Sequence, residues 1–386
     1  MKTRTVIEGN TRVEVPLSED SSGISSPSTV FYNPEMELNR DITVAATLAY
    51  ALTISDEKGI PLSEIKYIDA LSASGIRGLR VANETGINTT LNDWSNEAYE
   101  FILKNIEMND LAERVIATRK NANVALHENK YHIVDLDPFG TPAPFLNAAS
   151  SSTISFLEVT ATDTAPLCGA HLKSGIRKYS SVPLNNEYHS EMGIRVLIGK
   201  IVREFASNDK AIYPVLSHAT RHYLRIYAEV RRGAKRADRM MENMGFIENC
   251  QHCGFREPLY GLAVHSQYEC PSCKSPMSIA GPLWLGSLHS RVFCNGVLEQ
   301  IDALQLGKKD AAKKIITLCR EELDIPMFYD QHVMCKQIGI SAPGMDSLIN
   351  KLLEKGFNAS RTHFSGTSFK TNAPVNDIKQ IMRSLD

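Results

Sequence analysis

Short apolar runs that end on a polar residue recur along the first half of the chain, separated by stretches in which apolar residues return at helical spacing. The runs are Tyr67-Ile68 before Asp69, Ile87 to Asp93, Val115 to Lys120, Ile133 to Leu136 before Asp137, and Ile154 to Thr160. Helical spacing is found from Met36 to Ile54, from about Ile76 onward, and from Asn96 to Met108. Apolar runs of this length between helices read as buried parallel strands. Strand alternating with helix predicts a parallel, doubly wound α/β sheet, whose ligands lie beyond the carboxyl ends of its strands. Asp69, Asp93, Asn121 and Asp137 all fall at such ends. One of them alone would be a turn cap, but four along one sheet edge predict a site.

The later part of the chain changes this plan in three ways. Ala211 to Ala219 and Tyr223 to Val230 are strand-like, and only Thr220, Arg221 and His222 separate them, which is hairpin spacing. A parallel sheet finished by an antiparallel hairpin edge separates the class I (Rossmann-like) methyltransferase topology from the dinucleotide-binding one. Asp163 to Gly193 has no clear period and reads as a long insertion over the sheet edge, followed by a helix from Arg195 to Phe205. After Asp310 a helix to Leu323, a second over Tyr329 to Ile338 and a third over Met345 to Lys355 precede two strand-like pieces, Phe357 to Phe364 and Thr367 to Lys370. Helices followed by a β ribbon predict a winged-helix-like end, with Arg361, His363, Lys370 and Thr371 on the ribbon available to a nucleic-acid backbone. At the other end, TRVEVP is strand-like, and the Ser-rich LSEDSSGISSPST suits a loop ordered on binding.

A chain of 386 residues exceeds one ordinary core, and we expect residues 1–236 to form a methyltransferase domain and 237–386 a C-terminal α+β domain. No apolar run approaches the roughly 20 residues that cross a bilayer, and Met1 to Val15 lacks a signal-peptide core, so the expectation is an intracellular, cytoplasmic protein. The formal charge of −2 gives no global attraction to nucleic acid, so any RNA must meet local patches such as Arg231-Arg232-Gly233-Ala234-Lys235-Arg236 with Arg239. Eight cysteines are too few for a disulfide framework, and four of them form two CxxC pairs, Cys250/Cys253 and Cys270/Cys273, with sixteen residues between the pairs. Two such knuckles complete the tetrahedral four-sulfur set that zinc prefers and leave no open position, which predicts a structural site. Cys168, Cys294, Cys319 and Cys335 read as buried apolar thiols.

The candidate chemistry centres on Tyr131 to Gly140, YHIVDLDPFG. The run ends in a carboxylate, Asp137; Pro138 has no N–H, and Phe139 offers a flat face to a planar ring. These groups suit an aromatic amine. Upstream, Ala70 to Gly75 is a loop of small residues that opens a helix after a strand, the arrangement in which backbone N–H groups approach a ligand closely. With only Gly75 and Gly78 and no phosphate-loop lysine it disfavours a dinucleotide or phosphate site. Asp93, about twenty residues beyond that loop, is placed for ribose hydroxyls, and Asn121-Ala122 for an adenine edge.

VFYNPEMELNRD, IDALSASGIRGLR, LND, DLDPFGTPAPF, YAEVRRGAKRAD, the paired CxxC and SFKTNAP together resemble the tRNA guanosine-26 N2-dimethyltransferases of archaeal type, over nearly the whole chain. DPFG stands where other amino-methylating enzymes carry NPPY-like or DPPY-like sequences. The resemblance implies that S-adenosyl-L-methionine (AdoMet) is the methyl donor, contacted by Arg40, Arg77, Asp93, Asn121 and Ala122; Asp69, at the first strand end, joins them as a cofactor-binding candidate. The resemblance further implies that Phe31, Asp137 and Phe139 hold the target guanine of a tRNA; the Pro138 carbonyl, beside Asp137, is a second acceptor for the amine, and we expect a monomer. Many relatives have Asp where this chain has Asn121, whose amide oxygen still accepts from an adenine amino group. The same acceptor pair would serve another tRNA guanosine or an adenine. A zinc-stabilised RNA-binding protein without activity is the reading outside enzymes.

Overall fold

The computed structural model describes residues 3–17 and 30–385, so most of the Ser-rich loop lies outside the described residues. Chain contacts divide the protein into two units, the first built from Met1–Ala161, Tyr227–Arg231 and Val292–Thr317, the second from Thr162–Ile226, Arg232–Arg291 and Leu318–Asp386. This differs from the expected boundary at residue 236. Sheet partners are set by hydrogen bonding and not by chain order, so a distant strand segment joins the first unit.

The first unit opens with an antiparallel hairpin of β1 (Thr3–Glu8) and β2 (Thr11–Pro16), of which only β2 was foreseen, followed by helix α1 (Glu37–Lys58). Then β3 (Lys66–Asp69), α2 (Ile76–Thr85), β4 (Asn88–Asn92), α3 (Asn96–Met108), β5 (Val115–Thr118), α4 (Ala122–Glu128), β6 (Tyr131–Leu136), α5 (Leu146–Ser152) and β7 (Thr153–Ala161) alternate as expected. All five strands from β3 to β7 pair in parallel. Gly75, at φ +81°, turns the loop into α2. Gly78 lets that helix settle on the sheet: a Cβ there would overlap Leu91 Cδ2 and lie 3.2 Å from Asp69 Cβ and Thr89 Cγ2. Ser95 Oγ caps α3 by accepting from Ala98 N at 3.3 Å.

The stretch expected to be aperiodic contains α6 (Thr164–Leu167), α7 (Leu172–Tyr179) and the start of α8 (His189–Ala206). Gly193, the end of that stretch, lies inside α8, where a Cβ would meet Cys168 Sγ at 2.9 Å. Then come β8 (Lys210–Thr220) and β9 (Tyr223–Arg232), joined by two residues as a hairpin, and the sheet order is β5-β4-β3-β6-β7-β9-β8. After α9 (Ala234–Met241), β10 (Met244–Asn249), β11 (Arg256–Tyr260) and β12 (Ser278–Trp284) form a small antiparallel sheet. Helices α10 (Arg291–Ala303) and α11 (Lys309–Glu321) follow. The C-terminal elements are β13 (Tyr329–Asp330), α12 (Gln331–Ile338), α13 (Met345–Glu354), β14 (Ala359–Arg361), β15 (Ser368–Thr371) and α14 (Val375–Arg383). Strands β13, β15 and β14 pair in that order over a core that includes Leu348, Leu352, Phe369 and Ile378. No helix among the described residues is long and apolar enough to cross a membrane.

The ribbon corrects one expectation. Lys370 and Thr371 are buried, and the His363 side chain is fully enclosed, so none of the three faces a nucleic-acid backbone. Lys370 Nζ lies 2.7 Å from Glu322 Oε1 and 3.1 Å from Glu191 Oε1; a buried ammonium needs such partners. Arg361 is exposed and pairs with Asp346 at 2.7 Å.

Candidate active site

Four adjacent strands deliver the expected edge. Asp69 ends β3, Asp93 follows β4, Asn121 caps α4 just beyond β5, and Asp137 follows β6. Pro138 is buried, whereas Phe139 is 90% exposed and Phe31 45% exposed. Their rings meet edge to face, with centroids 5.7 Å apart and planes at 74°. A base held between parallel rings needs roughly 7 Å between them, two van der Waals contacts of about 3.5 Å each. The two phenylalanines are therefore together, as expected, but they do not form an open slot.

Asp137 is gripped by Arg77, itself only 4% exposed. Arg77 Nη2 donates to Asp137 Oδ2 in a close contact, and Nη1 donates to Asn39 Oδ1 at 2.7 Å and Thr43 Oγ1 at 2.8 Å. Its Nε lies 3.6 Å from Asp135 Oδ2, which accepts from Tyr67 OH at 2.9 Å. Burial and the neighbouring Asp135 charge push the Asp69 carboxyl up to about 7, against the pull of Arg77, and Asp137 adds to the rise. One guanidinium thus contacts two acidic side chains, Asp137 and Asp135, and acts electrostatically on a third, Asp69. Asp135 was not foreseen; its signal is a polar residue inside an otherwise apolar strand.

The remaining candidate cofactor residues are already engaged. Arg40 Nε donates to Glu8 Oε2 at 2.7 Å and Nη2 to Glu8 Oε1 at 2.5 Å, with a further bond to the Asn33 carbonyl at 3.0 Å. Tyr32 OH donates to the same Glu8 at 2.9 Å. Asp93 holds the loop after β3: Oδ2 accepts from Ala73 N at 2.9 Å and Oδ1 from Ser95 N at 3.0 Å. Ala73 sits at φ +47°, a conformation few non-glycine residues adopt, so this bond fixes a strained turn. Each Asp93 oxygen still has a lone pair. Asn121 Oδ1 accepts from Asn123 N at 2.9 Å, and Ala122 is buried beside it. Asn39 Nδ2 and Ser74 Oγ are buried without a hydrogen-bond partner, an arrangement that a ligand carboxylate would relieve.

In the second unit the four predicted cysteines converge. Cys250 and Cys273 sulfurs are 3.5 Å apart, and those of Cys253 and Cys270 are 3.6 Å apart. Four sulfurs about 2.3 Å from one tetrahedral zinc would be about 3.8 Å apart. The two knuckles share one backbone pattern. Gly254 N donates to the Cys250 carbonyl and Lys274 N to the Cys270 carbonyl, both at 2.9 Å. Both of these residues have positive φ, +80° and +63°.

A five-stranded parallel core, extended by a hairpin and carrying its polar residues at the carboxyl strand ends, defines a Rossmann-like methyltransferase fold. The chain belongs to the N2,N2-dimethylguanosine tRNA methyltransferase family, whose sequence pattern matches residues 9–383. It is 59% identical over 386 residues, the full length of both chains, to the tRNA (guanine(26)-N(2))-dimethyltransferase of Methanosarcina mazei. Identity to the enzyme of the same name from Haloarcula marismortui is 45% over 375 residues, 97% of this chain and 98% of that one. The structure of Trm1 from Pyrococcus horikoshii with S-adenosyl-L-methionine matches with a TM-score of 0.86 at 34% identity, covering 98% of this chain and 99% of that one.

Proposed function

We propose that this protein transfers one or two methyl groups from AdoMet to the exocyclic N2 of guanosine 26 in tRNA. The observation that carries the reading is the Asp137 carboxylate, held at the end of β6 by buried Arg77 beside two exposed phenylalanines. AdoMet supplies an electrophilic sulfonium methyl. The guanine amine is a poor nucleophile because its lone pair is delocalised into the ring. Asp137 and the Pro138 carbonyl accept hydrogen bonds from that amine, draw its nitrogen toward tetrahedral geometry and offset the positive charge that grows on it. The amine proton released after transfer passes to Asp137 or to solvent. Phe31 and Phe139 part from their edge-on contact to hold the base once it has left the tRNA stack. Asp69, Asp93, Asn121, Ala122 and the two arginines, Arg40 and Arg77, form the AdoMet side, where Asn39 Nδ2 and Ser74 Oγ supply donors for its carboxylate.

The sulfur spacing fits a structural zinc on Cys250, Cys253, Cys270 and Cys273. Exposed Arg231, Arg232, Lys235, Arg236 and Arg239 form the phosphate-binding patch. Helices α12 and α13 with the β13-β15-β14 sheet act as a winged-helix-like module for tRNA; the residues that carry the chemistry lie within 1–236, and within 237–386 the tRNA-binding part excludes Val292–Thr317, which belongs to the first unit. The protein works in the cytoplasm as a monomer. The test is mass spectrometry of nucleosides from tRNA incubated with protein and AdoMet. We expect N2-methylguanosine and N2,N2-dimethylguanosine, lost when guanosine 26 is replaced by adenosine. Methylation at another guanosine or at adenine, or AdoMet binding without any methyl transfer, would overturn it.

A further inference from the structure

Beyond the four-cysteine cluster, the second unit brings together another set of metal-ligand side chains. His289 just ahead of α10, Cys319 on α11 and His363 just after β14 each place one donor atom within 4.8 Å of the other two. All three side chains are enclosed: His289 is 92% buried, Cys319 is buried, and His363 is fully covered. We propose that His289, Cys319 and His363 form a second metal site, which takes a divalent ion of the zinc class.

Three observations carry this. First, two imidazoles and a thiolate are the nitrogen and sulfur donors that zinc prefers, and they leave a fourth position to water. Second, the ring geometry fits. Zinc bound about 2.05 Å from an imidazole nitrogen lies about 3.2 Å from the ring centroid, so two histidines at tetrahedral angles have centroids about 5.2 Å apart. The His289 and His363 centroids are 5.4 Å apart, with planes at 86°. Third, the surrounding groups are those of a metal centre. Glu322 Oε2 accepts from His363 Nδ1 at 2.8 Å and from its backbone N at 3.2 Å, which fixes the tautomer with the lone pair on Nε2. His289 Nε2 is buried without a hydrogen-bond partner, 3.9 Å from Glu322 Oε1. Left so, it carries the desolvation penalty of an unsatisfied buried group.

The bonds that compete with a metal are long. Ser217 N donates to His289 Nδ1 at 3.5 Å, and Ala219 N donates to His363 Nε2 at 3.3 Å. Loading sheds the Cys319 thiol proton to solvent, moves the His289 ring proton from Nε2 to Nδ1, and gives up both contacts. Glu322 supplies negative charge beside the ion, and Lys370, 2.7 Å from its other oxygen, keeps that carboxylate in place. The ion would cross-link the segment before α10, the end of α11 and the β14 turn.

Metal content decides the proposal. The full chain, made without a polyhistidine tag, is equilibrated with excess Zn2+, desalted and analysed by plasma mass spectrometry. We expect two zinc ions per chain, falling to one in Cys319→Ser and in His289→Asn, and one remaining in the Cys250→Ser/Cys273→Ser double variant. Cobalt substitution is the second readout: Cys319→Ser removes a single-thiolate charge-transfer component and leaves the four-thiolate spectrum intact. It keeps the test decisive where a variant fails to fold, because the wild-type spectrum already contains both components. One zinc per wild-type chain, with a purely four-thiolate cobalt spectrum, overturns the site. That outcome would leave the methyltransferase reading untouched.

Discussion

Asp137→Asn keeps an acceptor oxygen at the end of β6 and removes its charge. The environment predicts that folding tolerates this. The Asp137 side chain is 22% exposed, so its ion pair with Arg77 is partly screened and contributes little to stability. Arg77 keeps Asn39, Thr43 and Asp135 as partners, so no buried cation is orphaned. Loss of one of three clustered carboxylates also relieves repulsion at Asp69. Stability should change by less than about 1 kcal/mol. Catalysis should not be spared. A preorganised group that stabilises developing charge supplies about 3–4 kcal/mol, so Asp137→Ala should lower kcat roughly a hundred- to a thousand-fold, with Asp137→Asn between it and wild type. Single-turnover transfer from labelled AdoMet, with AdoMet affinity measured by calorimetry and unfolding by heat, separates these terms. If Arg77 acts by orienting Asp137, Arg77→Lys should add little further loss in the Asp137→Asn background. A folded Asp137→Ala protein that turns over at near the wild-type rate would refute the mechanism, and lost stability with normal turnover would make Asp137 a turn residue.

Asp69 links folding to pH: the folded carboxyl keeps its proton up to about 7, whereas the unfolded one loses it near 3.8. The folded state therefore holds the extra proton in that window, so stability falls as pH rises through it and levels off above, by a few kcal/mol at most. Asp69→Asn should remove this component when unfolding is measured from pH 4 to 8; an identical pH profile would show that the buried carboxyl does not carry it. Replacing Arg231 and Arg232 by Ala should weaken tRNA binding and flatten its salt dependence by about one unit of slope per lost phosphate contact, with AdoMet affinity unchanged. An unaltered slope would make the patch a solvated face. Cys250→Ser should release zinc and loosen the second unit, since structural zinc contributes on the order of 10 kcal/mol to folding; unchanged zinc content and thermal unfolding would exclude a structural metal there.

What could be read from the chain alone follows how local each signal is. Asp93, Asn121 and Asp137 were visible because a strand end is marked by its own neighbours, and the cysteine pairs because each CxxC knuckle is a local turn. Glu8 was missed because its partner Arg40 lies on another element, and β1 because its burial pattern shows no continuous apolar face. Lys370 looked like a nucleic-acid contact because nothing near it announces Glu191 and Glu322, the distant carboxylates that make its burial possible. Cys319 reads as a buried apolar thiol and is buried; nothing near it in the chain announces His289 and His363, whose donor atoms lie beside its own. Helix α14 carries a clear apolar period, Val375, Ile378, Ile381 and Met382, but was not foreseen in a short stretch at the chain end.

The division of the first unit into three chain segments also matters during synthesis. Its core strands are complete by Ala161, but it still lacks Tyr227–Arg231 and Val292–Thr317. At about 5–20 residues per second, the ribosome takes roughly 10 to 30 s to supply them. Until β9 emerges, about 4 to 14 s at that rate, β7 is an edge strand, the kind of exposed hydrogen-bonding edge that recruits wrong partners. A fragment cut at residue 236 would leave the last of those pieces missing for good, so expression of the methyltransferase half alone should give aggregate and not a small soluble enzyme.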